Sequence, residues 1–580
     1  MPSLVEIVLP GLFSQPIQLL EVVVALLLVV TLRWRPDWLR PLGALWRRVE
    51  SRPAISLMGL ALVLVVAHFA MEWNQPRRGP RLHDEFSYLL SAETFLEGRL
   101  TNPTPAEWHA LDTYHVNFSP TYNSMYPPGH PAVLALSWRW LGHPIYANWI
   151  LAPVLGLAMW WMLAAWIPRR WALLGGALVA LRLGLFGYWA ESYMTGALPA
   201  ICAAIFGGAL PRAVRRPSAG LAATAGLSLG VMFSCRPFEA VVLAGGAIPM
   251  LWLLRPKSGF RPLLVPAAPG LAIFLLVVGA VAYHNVTLTG SAFRFGYNVN
   301  MERHGYGVFP WSSTIGTETE ITPRQATFYE RTRSSAAFAW TPGGFLLSRI
   351  RNVGSAWVFL IGPLLSLGLF HWRRSLGVRR LRPALPGLLT FGIVVALNPW
   401  PFPHYYSGAF GFMLVFAVTG IRAWCVRHRV SASLAAGSLL VAASVVLAVR
   451  AVAGAAVSPP LAVPVPWLPY NTPLGFEARQ TLAREVAGAA PALIFVRHSA
   501  ADSSPENWVE DWVYNDPSPV RSPVVWANDR GPESNARTAR AYPGRRWFCV
   551  EIEGGHPRRS DCAPWIARAS AADPTGLSRP

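Results

Sequence analysis

Charge is scarce in this sequence, and lysine is almost missing. Of 580 residues 14% are charged, and Lys257 is the only lysine; a soluble domain covers its surface with about a quarter of its residues charged. A soluble globular protein is therefore excluded. Cysteine is also sparse, five in all, with no Cys-x-x-Cys pair and no His/Cys cluster to mark a zinc site. Cys202, Cys235 and Cys425 lie in or beside apolar runs and read as small apolar residues. Cys549 and Cys562 lie in a polar tail, where they could pair if that tail meets an oxidising compartment. No basic segment precedes the first apolar run, so no cleavable signal peptide is expected.

What is present is hydrophobicity and arginine. The chain is 53% hydrophobic, contains 26 Trp and carries a net charge of +20. Apolar runs recur at 17–32, 54–71, 146–167, 171–189, 196–210, 219–234, 240–254, 263–283, 350–370, 384–398, 405–421 and 431–453. That makes about eleven spans, or about twelve with the first run, each near the roughly 20 residues a bilayer demands. The arginines gather in short loops between these runs, most densely from Arg33 to Arg52 and from Arg373 to Arg382. Basic loops of this kind stay in the cytoplasm. The positive charge is thereby explained by topology, and no nucleic-acid partner is expected. The run at 131–141, with Arg139 between Trp138 and Trp140, is too short to span and reads as an interfacial helix.

With the loop 33–52 inside, the polar segment after the run 54–71 falls on the opposite side. There stands His83-Asp84-Glu85-Phe86. Adjacent residues on a helix point about 100° apart, so one of Asp84 and Glu85 does the work and the other supports it. The same side receives Glu191, Arg236, the long loop 284–349 and His404. Glu191 reads either as a substrate contact or as the ion-pair partner of Arg182 or Arg236. Arg236 offers a planar grip on phosphate, or snorkels from a helix end. His404-Tyr405 offers donors at a helix end, or an interfacial aromatic anchor. The stretch around Arg294, with Phe293, Phe295, Tyr297, Tyr306 and Trp311, suits sugar stacking, or merely seats its loop.

These segments together carry a resemblance. His83-Asp84-Glu85-Phe86-Ser87-Tyr88-Leu89-Leu90, Met125-Tyr126-Pro127-Pro128-Gly129-His130-Pro131, Glu191-Ser192-Tyr193-Met194-Thr195-Gly196, Cys235-Arg236-Pro237 and His404-Tyr405-Tyr406 are similar to stretches of the GT-C glycosyltransferase superfamily, in the branch of protein O-mannosyltransferases and aminoarabinose transferases. The resemblance covers about residues 54–425. It implies an all-α polytopic membrane bundle and an inverting sugar transfer from a polyprenyl-phosphate carrier to an acceptor hydroxyl on a glycan, lipid or protein. It makes Asp84 the base, Glu85 its neighbour, and Arg236 and His404 the phosphate contacts. Glu191, Tyr193, Tyr405, Tyr126 and His130, which lie in these stretches, and Arg294 of the long loop are the further candidate substrate contacts. No cofactor is required, although a divalent cation bridging Asp84 and Glu191 is possible. The run at 17–32 has no counterpart in the family pattern.

The expected domains are an N-terminal helix and basic loop (1–53), the transmembrane domain (54–455), a linker (456–487) and a small extracytoplasmic α/β domain (488–580). Strand-like pieces at 492–496, 524–527 and 547–552 support the last of these. The expected location is the bacterial inner membrane, among membrane lipids. Two other classes fit the same outline: a transporter or flippase of lipid-linked sugars, and a non-catalytic envelope scaffold. A transporter predicts repeated halves and charges at mid-membrane; no repeat is visible.

Overall fold

In the computed structural model, which describes residues 16–34, 37–72, 79–80, 82–312, 316–317, 320–456, 474–488, 490–499, 512–553 and 556–566, the apolar runs fold as helices. In hydrocarbon a segment must satisfy its own backbone hydrogen bonds, and a helix does so. In chain order these are α1 (Pro16–Trp34), α2 (Arg40–Ser51), α3 (Pro53–Glu72), α4 (His83–Leu96), α5 (Gly129–Leu141), α6 (Tyr146–Trp166), α7 (Arg169–Leu183), α8 (Ala197–Arg215), α9 (Ala219–Cys235), α10 (Pro237–Leu254) and α11 (Arg261–Thr289). There follow α12 (Gly296–His304), α13 (Pro323–Phe338), α14 (Pro342–Ala356), α15 (Leu385–Leu397), α16 (Ser407–Arg427) and α17 (Ala432–Ala456). The protein is a multi-pass membrane protein.

Among the described residues eight helices are long and apolar enough to cross a membrane, or nine if the pair Pro342–Ser366 and Leu369–Gly377, bent by 75°, is one span. The sequence expectation is eleven or twelve. α7 and α9, with 15 and 17 residues, are the shorter members. The run expected to continue to 189 stops as a helix at Leu183, and residues 184–196 are irregular and buried. Their backbone is satisfied from neighbouring helices: His68 Nε2 lies 2.9 Å from the Gly184 carbonyl, and Asn148 Nδ2 donates to Ser192 O at 2.5 Å. Irregular backbone at membrane depth survives only with such partners. The long loop expected from 284 begins only after Thr289, and the span expected from 350 starts at Pro342.

Inside the bundle Glu21 of α1 meets Arg182 of α7 at 2.5 Å and Arg450 of α17 at 3.4 Å. The charge that interrupts the first apolar run and the arginine that interrupts α7 are thus each other's partners. Arg182 also donates to the carbonyls of Val358 and Phe359, in a π-helical turn at Trp357–Ile361.

The C-terminal unit is α18 (Leu474–Val486) packed on a sheet of β3 (Ala492–His498), β4 (Val524–Asn528), β5 (Arg546–Glu553) and β6 (His556–Ser560), after a two-stranded ribbon of β1 (Val116–Asn117) and β2 (Asn123–Ser124) in the first polar segment. The sheet order is β4-β3-β5-β6, with β3 parallel to β4 and β5 and β6 antiparallel. α19 (Pro532–Ala541) links β4 to β5. Leu482 and Val486 of α18 are buried against Ile494 and Val550, so the packed unit begins at 474, inside the stretch expected to be linker. The remainder of that linker, 457–473, lies outside the described residues. β6 escaped the sequence reading because His-Pro-Arg-Arg-Ser is a polar edge strand with no apolar alternation. Cys549 and Cys562 are joined by a disulfide. The sheet docks on α4: Phe86 and Leu90 share a core with Leu493, Phe495 and Val525.

Candidate active site

α4 opens at His83 after the extended Leu82, with Asp84 and Glu85 in its first turn, where the helix dipole favours negative charge. The Asp84 carboxylate accepts hydrogen bonds from Tyr126 Oη and, at 2.9 Å, from His83 Nδ1. His115 Nε2 lies 3.8 Å away. Burial works to raise the Asp84 carboxyl, but the His115 and His83 imidazoles and the bonds from His83 and Tyr126 outweigh it and hold it well below the usual carboxylate range. Burial, with Asp84 beside it, raises the Tyr126 phenol well above its ordinary value, so Tyr126 keeps its proton and donates. Glu85 is buried on a different face of the same helix turn.

Tyr126 is delivered by the segment Tyr126-Pro127-Pro128-Gly129. A Cβ on Gly129 would lie 2.2 Å from Ser234 Oγ and 2.7 Å from Cys235 Sγ. Glycine there lets the start of α5 close on the end of α9, one residue before Arg236. Arg236 is the single non-helical residue between α9 and α10, with Pro237 opening the second helix. Its guanidinium is buried, 5.1 Å over the Tyr405 ring and 3.9 Å from Glu239. His404 Nδ1 lies 2.9 Å from Tyr188 Oη. Tyr88, one turn after Asp84, stacks on Tyr126 at 4.2 Å, and Tyr297 meets Tyr126 edge-on at 5.5 Å. Asp84 and Arg236 both act electrostatically on Tyr88, His404 and Tyr405. One carboxylate and one guanidinium therefore share a small cage of aromatic rings.

No family model matches the chain. No curated protein matches it either. Among solved structures, the oligosaccharyltransferase of Archaeoglobus fulgidus tethered with an acceptor peptide superposes with a TM-score of 0.47 at 12% identity, over 84% of this chain and 66% of that one. ArnT from Cupriavidus metallidurans bound to undecaprenyl phosphate superposes with a TM-score of 0.46 at 14% identity, over 86% and 92%. The chain thus spans slightly under two thirds of the archaeal enzyme's length.

The other expected site residues are placed as follows. Tyr193 offers its carbonyl to His130 Nε2 at 3.0 Å, so these two brace each other behind Tyr88, whose ring His130 meets edge-on at 5.5 Å. Glu191 is buried with His68, 3.3 Å from its Nδ1; the arginine expected to pair with it, Arg182, is held by Glu21. Arg294 forms a half-exposed ion pair with Glu302 at 2.5 Å instead of joining the cage. Sequence reading missed His115 and Tyr88. The i, i+4 spacing of Asp84 and Tyr88 is a usable signal, whereas His115 is brought in only by the fold of the ribbon.

Among the described residues, His83, Asp84 and His115 could hold a metal ion, their ligand atoms all lying within 4.8 Å of one another. His115 Nδ1 is buried without a partner among the described residues. Two imidazoles and a carboxylate form a donor set that suits zinc or manganese. Glu191, expected to share a divalent ion with Asp84, lies 3.3 Å from His68 Nδ1 and is not among these three residues.

Two further imidazoles make the site acid-sensitive. Burial pushes His130 down to about 4, and burial with the Arg303 guanidinium beside it drives His304 far down. Both stay neutral in the folded chain while the unfolded chain binds the extra protons. Their stabilisation is complete above about pH 6.5 and is lost as pH falls toward about 4. The thermal midpoint of the purified protein should drop between pH 7 and pH 5, and His130→Gln should flatten that drop. An identical pH dependence in the variant would remove His130 from this role.

Proposed function

We propose that the protein is an integral-membrane glycosyltransferase that moves a sugar from a polyprenyl-phosphate carrier to an acceptor hydroxyl, with inversion, on the extracytoplasmic side of the bacterial inner membrane. The observation that carries this reading is the shared cage: an ionised carboxylate, Asp84, and a buried guanidinium, Arg236, at one end of a bundle of spanning helices. The basic segment Arg33–Arg52 and the Cys549–Cys562 disulfide support the orientation, since basic loops stay in the cytoplasm and disulfides persist outside it.

The acceptor hydroxyl takes the place of Tyr126 Oη on Asp84 and attacks the anomeric carbon in line. The new oxygen–carbon bond forms as the bond from that carbon to the carrier phosphate breaks. The phosphate leaves with its negative charge, so no acid is needed; Arg236, with His404 beside it, stabilises that charge. Asp84 takes the hydroxyl proton as the new bond forms, and His83, whose Nδ1 donates to it at 2.9 Å, holds the carboxylate in position. A divalent ion on His83, Asp84 and His115 would supply Lewis-acid help to the hydroxyl.

Mass spectrometry of lipid-linked sugars and envelope glycans, in cells with and without the protein, tests the reading. One donor should accumulate and one product should vanish; unchanged profiles would overturn it. Arg236→Lys keeps the charge but loses the planar fork, and is expected to raise the donor KM about tenfold or more, as the loss of a charged hydrogen bond does.

A further inference from the structure

A cavity of about 190 Å³ lies where the C-terminal sheet faces the polar loops of the membrane domain. One wall is the carboxyl ends of β3 and β4, with Arg497, Asn528 and Asp529, the position at which open parallel sheets receive ligands. The facing wall is Asp112, Tyr114 and the first turn of α13. In that turn Gln325 is 2% exposed; its Oε1 accepts from Thr322, while its Nε2 is buried without a partner among the described residues. A buried donor left unfilled is costly, so a ligand acceptor atom there is favoured.

The carboxylates are fixed in place: Asp529 by Arg497 at 2.6 Å, and Asp112 by Arg303 at 2.7 Å. Fixed acceptors and donors of both signs beside an aromatic ring match the adjacent hydroxyls of a sugar ring. An anion site would carry one sign only. An extended peptide adds to a sheet along an open strand edge, whereas this cavity meets strand ends. Tyr114 joins the two sites, since its ring lies 5.1 Å from His83, which bonds Asp84.

We infer that this cavity holds a saccharide unit of the acceptor, next to the unit whose hydroxyl is glycosylated; the inference rests on the transferase reading above and makes the acceptor a glycan. Saturation-transfer NMR on the full chain in detergent, with methyl β-glucoside, N-acetylglucosamine and galacturonate as probes and a Gly-Ser tetrapeptide as comparison, tests it. At least one sugar should show transfer. Gln325→Leu, and Arg497→Gln at a half-exposed position, should each weaken its binding about three- to tenfold, the effect of one hydrogen bond. Asp84→Asn should leave it intact. No transfer to any sugar, binding unchanged in both cavity variants, or transfer to the peptide instead would overturn the inference. Sugar binding as expected together with full turnover by Asp84→Asn would sink the transferase mechanism while leaving the cavity assignment standing.

Discussion

Asp84→Asn is expected to lower sugar transfer by about 10²–10⁴, the usual contribution of a positioned proton acceptor, while the protein still folds. The amide oxygen still accepts from Tyr126, and the stack of Tyr88 on Tyr126 is untouched. What is lost is the negative charge that takes up the acceptor's proton. The readout is consumption of the lipid-linked donor by purified protein, alongside a thermal midpoint to show that folding is intact. Turnover equal to that of the unaltered enzyme, in a folded variant, would take Asp84 out of the mechanism. Glu85→Gln is the internal comparison: the neighbouring carboxylate on the other face should matter far less to turnover.

Glu21→Leu is expected to have the largest effect on stability. Glu21 is 1% exposed and is the anion for two buried guanidiniums, Arg182 and Arg450. Removing one side of a buried ion pair costs about 3–5 kcal/mol, because the charges left behind have no water to return to. Arg182 retains the Val358 and Phe359 carbonyls, and Arg450 retains the Arg182 carbonyl at 3.1 Å, so the remaining cations are solvated only by dipoles. The triple replacement Glu21→Leu, Arg182→Met, Arg450→Leu should recover most of the loss, since apolar residues of similar volume often equal or exceed a buried ion network. Thermal unfolding in detergent measures both. A midpoint unmoved by Glu21→Leu would show that the triad contributes nothing to holding α1 against α7 and α17. Charges inside a membrane are often functional; this set, whose members hold one another and three backbone carbonyls, is read as structural.

Much of the bundle was legible because its signal is local. Apolar runs of near-bilayer length, basic segments between them and turn residues around strand-like pieces report on their own neighbourhoods. Span ends were less legible. Residues 184–196 read as apolar as a helix does, yet they are held in an irregular path by His68, Asn148 and His130 from other elements. The bend of 75° after Ser366 likewise follows from packing that no run of hydrophobicity records. In the site, Asp84, Tyr126, Arg236, His404 and Tyr405 were readable from their motifs and are brought together. Glu191 and Arg294 carried equally plausible motifs, and their side chains turn to His68 and Glu302. A short motif names the residue type at a helix end, but the direction of its side chain depends on what the neighbouring helices offer.

By itself the sequence determined that the chain lives in a bilayer, because 14% charge cannot clothe a soluble fold of 580 residues and because runs near 20 apolar residues are stable only as helices there. It also determined where polar chemistry could collect, since ionisable groups are tolerated at helix ends and rejected between them unless paired. Only the tertiary structure decided which of those groups meet. Asp84 and Arg236 lie some 150 residues apart in a chain whose order carries no record of distance, and Gly129, by allowing α5 to touch α9, closes that gap. The pairing of Glu21 with Arg182 and Arg450 was decided in the same way, by which faces of α1, α7 and α17 could exclude water together.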